Sequence, residues 1–181
     1  MRGGRARVVL LAAAISALTT HAWPQVSLES AVKATYLYKF APFVDWPAKP
    51  GAPAAFNICV IGTDPFGPVL DRLVAGQRVA DRPIVVRRLA QAQRDAPCQI
   101  AFVAGSRGQD VKAALLALRG APVLTVTDGA MDPGVIDFAV VGGRVRFRVD
   151  DEAAAENGLT VSSKLLSLAI SVRPRKGGAR P

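Results

Sequence analysis

The stretch FNICVIGTDPFG, Phe56 to Gly67, runs a continuous apolar segment into a turn made of residues that start helices. Phe56, Ile58, Cys59, Val60 and Ile61 do not alternate with polar residues, which predicts a central strand covered on both faces. Thr63 or Asp64 can cap a helix beginning at Pro65, a position where the missing N–H costs nothing. Strand, turn and helix open a βαβ unit.

Further elements follow in the same style. Pro65 to Ala75 reads as a helix ended by Gly76, Ile84 to Val86 as a strand, and the polar segment after it as a short helix leading to Cys98. Ile100 to Val103 is a strand. Val111, Ala114, Leu115 and Leu118 form a helical stripe ended by Gly120, and Val123 to Thr127 is the next strand. This alternation predicts an α/β fold with a largely parallel central sheet and helices on both faces. From Ile136 the pattern changes: two alternating runs flank Gly142-Gly143, which predicts a C-terminal β-hairpin. Its second strand places Arg144, Arg146 and Arg148 on one face and Val145, Phe147 and Val149 on the other. Asp150 to Glu152 start a helix ending at Asn157-Gly158, and Ser162 caps a last one expected to run to about Val172. Upstream, Ser27 caps a helix on which Leu28, Val32, Tyr36 and Phe40 form the apolar face, with Lys33 and Lys39 turned away.

The amino terminus carries Arg2, Arg5 and Arg7, then an apolar segment from Val8 to Leu18 and small residues before Trp23. Residues 1–22 are expected to be a secretory signal peptide, residues 23–172 a single α/β domain, and residues 173–181 a basic disordered tail. The apolar segment is too short to span a bilayer, so the exported protein is not expected to be membrane-embedded. Losing three arginines and no acidic residue with the signal lowers the net charge from +9 to +6. Export and the scarcity of aromatics argue against nucleic acid as a partner.

His21 is the sole histidine and leaves with the signal. A Ser/His/Asp triad, a Cys/His pair and a histidine-ligated zinc are thereby excluded, and no catalytic residue, cofactor or metal is expected. Two cysteines in a small exported chain, Cys59 and Cys98, are most simply one disulfide; a redox switch is the alternative. In open α/β sheets ligands bind beyond the carboxyl ends of the strands, which groups Asp64, Ser106 and Arg107, with Asp128, around one candidate crevice. The Arg144, Arg146 and Arg148 ladder is either a solvated strand face or an anion site. Tyr36, Tyr38, Phe40, Phe43 and Trp46 crowd into one short span, as helix-on-sheet packing or as a partner surface.

The runs Ala34 to Pro47, Ile58 to Gly67, Gly143 to Phe147 and Gly158 to Leu166, with Cys98 before a strand, together resemble the YfiR-like periplasmic family. Members are exported α/β proteins whose best-understood role is to restrain an inner-membrane diguanylate cyclase by binding its periplasmic part. The resemblance implies that Cys59 and Cys98 are bridged, that the chain acts in the periplasm as a repressor of cyclic di-GMP signalling, and that it forms a homodimer. A partner would meet the aromatic span or Leu165, Leu166 and Ile170. The alternative is a periplasmic sensor of an anionic or nucleotide-like ligand serving another membrane receptor.

Overall fold

Residues 26–47 and 54–176 are described by the structure, a computed structural model. In chain order they form α1 (Leu28–Lys39), β1 (Val44–Asp45), β2 (Phe56–Gly62), α2 (Pro68–Val74), β3 (Arg78–Val79), β4 (Arg82–Leu89) and β5 (Ile100–Gly105). After these come α3 (Val111–Leu118), β6 (Leu124–Asp128), β7 (Ile136–Val141), β8 (Arg144–Asp150), α4 (Asp151–Glu156), β9 (Thr160–Val161), α5 (Ser163–Leu168) and β10 (Ser171–Arg173). The expected signal peptide lies outside the described residues.

β2 is buried along almost its whole length, as its largely apolar run predicts, and the one polar residue inside it, Asn57, accepts from Arg87. Phe56, Ile58 and Val60 point into a large core on the first face of the sheet, and Cys59 and Ile61 into a smaller one on the second. An eight-stranded, mostly parallel sheet runs β10-β8-β7-β6-β5-β2-β4-β3, with antiparallel pairs only at β7–β8 and β3–β4. α1, α2 and α5 supply residues to the first core, α3 to the second, so helices cover both faces. The β7–β8 hairpin turns at Gly142-Gly143, both at positive φ, as a two-residue turn requires.

Several elements differ from expectation. The segment between β4 and β5 holds no helix. Its backbone is committed elsewhere: the Ala92 N–H donates to the Gln109 side chain, Ala92 enters the second core, and Pro97 precedes Cys98. α2 starts at Pro68 rather than Pro65, because the Asp64 carboxylate first accepts from the Phe66 and Gly67 N–H groups in a separate turn. α5 stops at Leu168, and the chain straightens so that Ser171–Arg173 pairs parallel with Arg148–Asp150. The β-branched Ile170 and Val172 suit that extended path better than a helix.

The tail boundary expected at residue 173 moves too. Arg173 is in β10 and pairs with Asp150 and Glu152, Arg175 with Asp151, and Lys176 with Glu152. α1 is rotated relative to the expected stripe: Lys33, Ala34 and Leu37 are buried, and Leu28 is exposed. Lys33 is tolerated inside because its ammonium meets Glu29 one turn back and Asp128 at the end of β6, at 2.6 Å. Burial works to lower its pKa, and the hydrogen bonds to Asp128 and Glu29 overcome that, holding it above the usual lysine value.

Candidate functional site

The carboxyl ends of β2 and β5 flank the point where the chain reverses its direction across the sheet, the place where a ligand crevice is expected. That crevice is closed by backbone. Thr63 N–H donates to the Gly105 carbonyl at 2.9 Å, and a Cβ on Gly62 would lie 1.9 Å from the same oxygen. Asp64 is used up locally: it caps the turn before α2 and pairs with Arg88, which also forks onto Asp71 and holds the Asp71 carboxyl below its ordinary pKa. Ser106 accepts from the Gly108 N–H within its own turn, and Arg107 is exposed beside it. Asp64 and Ser106 therefore serve turns, and Asp64 an ion pair as well.

The expected aromatic surface divides in two. Phe40 is buried in the first core, where it packs on Tyr36, Phe138 and Phe147 with centroids 5.2–6.0 Å apart. Trp46 donates its indole N–H to the Gln99 carbonyl and sits edge-on to Phe56. Tyr36, Tyr38, Phe43 and Trp46 are partly buried against the core, so packing accounts for most of this cluster. Phe43 also anchors the C-terminal segment, since β1 pairs with β9 and the Ser162 N–H donates to the Phe43 carbonyl. At the C-terminal group, Leu165 is buried and Leu166 half-buried, while Ile170 is exposed.

Among the described residues, two surfaces near the C-terminal strands expose apolar side chains. The first follows α5 into β10, where Leu168, Ile170 and Val172 are exposed beside the outermost strand of the sheet. Such an edge carries unpaired backbone donors and acceptors next to apolar side chains. The second is a groove of about 480 Å³ between α1 and the hairpin, lined by Leu28, Val32, Tyr36, Val140, Val145 and the two arginines Arg144 and Arg146. Tyr36 and two members of the arginine ladder thus border one groove, although Arg144 and Arg146 alternate with Val145 along the strand and start from its opposite face. Arg148 is separate: it pairs at 3.2 Å with the buried carboxylate of Asp137.

Asp137 belongs to an arrangement that the sequence did not reveal. β6 and β7 are parallel neighbours, yet the connection between them holds no helix. It lies over Thr125 and Thr127 on the second face, pinned by Gly134 N–H to Thr127 Oγ1 and Val135 N–H to Thr125 Oγ1, both at 3.0 Å. Thr127 donates in turn to Asp137. A side chain at 134 would meet the Thr125 carbonyl at 2.8 Å, so only glycine fits there. The exposed second face of the hairpin, carrying Arg144 and Arg146, begins where this loop ends.

Between α3, α4 and β10 lies a cleft of about 320 Å³ that includes Leu115, Leu116, Arg119, Asp150, Glu152 and Arg173. Its carboxylates Asp132, Asp150, Glu152 and Glu156 outnumber the cations Lys112, Arg119 and Arg173, which does not suit an anion. Hydrogen bonding to Lys176 holds the Glu152 carboxyl below its ordinary pKa. Cys59 and Cys98 are bridged, Cα to Cα 5.7 Å, with 0% and 4% of their surfaces exposed beneath α3. Among the described residues no helix is long and apolar enough to cross a membrane, and no group of three or more His, Cys, Asp or Glu is placed to hold a metal ion.

A family model described as YfiR/HmsC-like matches residues 30–170, from the first turn of α1 to the residue before β10. No curated protein matches the chain.

Proposed function

Because the chain belongs to the YfiR/HmsC-like family, a family of periplasmic regulators, we propose that it acts in the periplasm by binding the periplasmic part of an inner-membrane diguanylate cyclase and repressing it. Cyclic di-GMP made in the cytoplasm then falls while the two are bound. The observation that carries this reading is the exposed α5–β10 margin, where Leu168, Ile170 and Val172 lie beside the edge strand. An extended partner segment adds backbone hydrogen bonds at such an edge and buries those side chains. Of the C-terminal group expected to meet a partner, Ile170 serves directly, and Leu165 and Leu166 hold the helix that presents it. The role is regulatory, and none of the described residues is assigned catalysis.

The alternative of an anionic-ligand sensor has less support, since the strand-end crevice is filled by the Gly62–Gly105 contact and the α3–α4 cleft is acidic.

Cellular cyclic di-GMP in a strain lacking the protein tests the proposal. The level is expected to rise on deletion, to return with the wild-type chain, and to stay high with Ile170→Asp, although that variant is exported and folded. Light scattering of the two purified forms reports whether the same margin also holds the homodimer. An unchanged cyclic di-GMP level across several growth conditions sinks the repressor reading.

A further inference from the structure

The tip of the β7–β8 hairpin is apolar on both sides of its ribbon. Val140 and Val141 are consecutive strand residues and so face opposite ways, yet they are 50% and 51% exposed. The turn that follows, Gly142-Gly143, contributes no side chain. Leu28, 82% exposed, lies across the groove from Val140 at the start of α1. A partner protein docking on one face of this ribbon would leave the other valine in water. A fluid interfacial layer surrounds a protruding tip and removes both from water together.

Charge points the same way. Arg144 and Arg146 follow the turn on the second face, both exposed, and neither is within ion-pair distance of a carboxylate among the described residues. The one acidic residue lining the groove, Glu29, is engaged by Lys33. Arg144 stands directly across the ribbon from Val141 and Arg146 one pair further back, across from Ala139, so both guanidinium groups can reach lipid phosphates when the tip enters the headgroup region, with their aliphatic stems along the apolar boundary. Tyr36, partly exposed on the groove floor, adds an amphipathic ring of the kind that settles at membrane interfaces.

We propose that Leu28, Val140 and Val141 form a shallow membrane-contact wedge, collared by Arg144 and Arg146, that seats this protein on the surface of an anionic phospholipid bilayer. The contact is small, hence reversible and salt-sensitive. It is compatible with partner binding at the other end of the hairpin. β10 pairs with residues 148–150 of β8, about 20 Å along the strand from the turn at about 3.3 Å per residue. A chain resting on its hairpin tip holds the β10 margin above the bilayer.

The mature protein is tested by flotation with vesicles of phosphatidylglycerol and phosphatidylcholine, against phosphatidylcholine alone, at low and high salt. Binding is expected only to the anionic vesicles and to fall with salt. Arg144→Gln with Arg146→Gln should weaken it by about 10-fold or more. Val140→Ser with Val141→Ser, which leaves the charge unchanged, should weaken it by a similar factor. Arg107→Gln with Lys112→Gln, which removes two exposed charges elsewhere, should change it less than about 3-fold, short of the contribution of even one arginine held at the surface. Absence of binding to anionic vesicles overturns the proposal. So does equal loss in the Arg107/Lys112 control, which makes the attraction non-specific, or indifference to the valine substitutions, which removes the wedge. Loss of cyclic di-GMP restraint in the hairpin variants without any vesicle binding by the wild type assigns the surface to a protein partner instead, and equally overturns it.

Discussion

Lys33 shows how one residue's fate is decided far along the chain. Its ammonium is nearly sealed from water, whereas its partners Asp128 and Glu29 are each well exposed. The consequences of removing either side therefore differ. Lys33→Met leaves two carboxylates that water can solvate, and the cost is expected to be about 1 kcal/mol or less. Asp128→Ala leaves a buried ammonium with one partner, and about 1–3 kcal/mol is expected. Urea unfolding of the two variants checks the order, and a larger loss for Lys33→Met would contradict it. The pH dependence has a definite sign. The Lys33 pKa is raised in the folded state, so its contribution is complete below the ordinary value of 10.5 and disappears as pH rises through the higher folded value. Wild type and Lys33→Met should therefore converge in stability at strongly alkaline pH and keep their difference near neutrality.

At the scale of elements, the β6–β7 connection replaces the helix that a parallel crossover ordinarily carries, and its stability rests on polar pins rather than an apolar face. Asp137 accepts from the Thr127 hydroxyl, the Ala130 N–H and Arg148. Asp137→Ala strands the first two donors in a poorly hydrated site while Arg148 returns to water, for an expected loss of about 2–3 kcal/mol. Thermal unfolding measures it, and a loss below about 0.5 kcal/mol, the range of ordinary surface substitutions, would show that the loop is held in some other way. The elements that could be read from sequence are those whose own residues decide them: β2 through its largely apolar run, the hairpin through its alternation and double glycine, α3 through its stripe. β1, β9 and β10 span only two or three residues each, too few to show a period, and are defined by partners distant in sequence. The buried face of α1 is hidden from the sequence for the same reason, since burial of Lys33 depends on Asp128, 95 residues away. The site was half legible. Tyr36 and the arginines stood out individually, but that they border one groove depends on how α1 lies against the hairpin.

For the whole molecule, the disulfide is the main covalent constraint in view. It closes a span of 39 residues between the middle of β2 and the approach to β5, inside the smaller core. Replacing both cysteines with serine is expected to cost roughly 4 kcal/mol by the chain-entropy argument, read as a shift in the urea midpoint. Burial of both sulfur-bearing residues also predicts that reductant alone leaves the native bridge intact and that denaturant is needed to open it. Rapid reduction without denaturant would instead identify the bridge as a redox switch.

The bridge has a further consequence because of where it sits in the strand order. It braces β2 and the approach to β5, while β7, β8 and β10 lie toward the far end of the sheet, beyond its reach. The covalent constraint is therefore confined to one part of the sheet, and both the hairpin tip and the β10 margin belong to the part it does not reach. Local opening of those outer strands is expected to proceed with the bridge intact, so that a contact made there and the covalent staple act independently of one another.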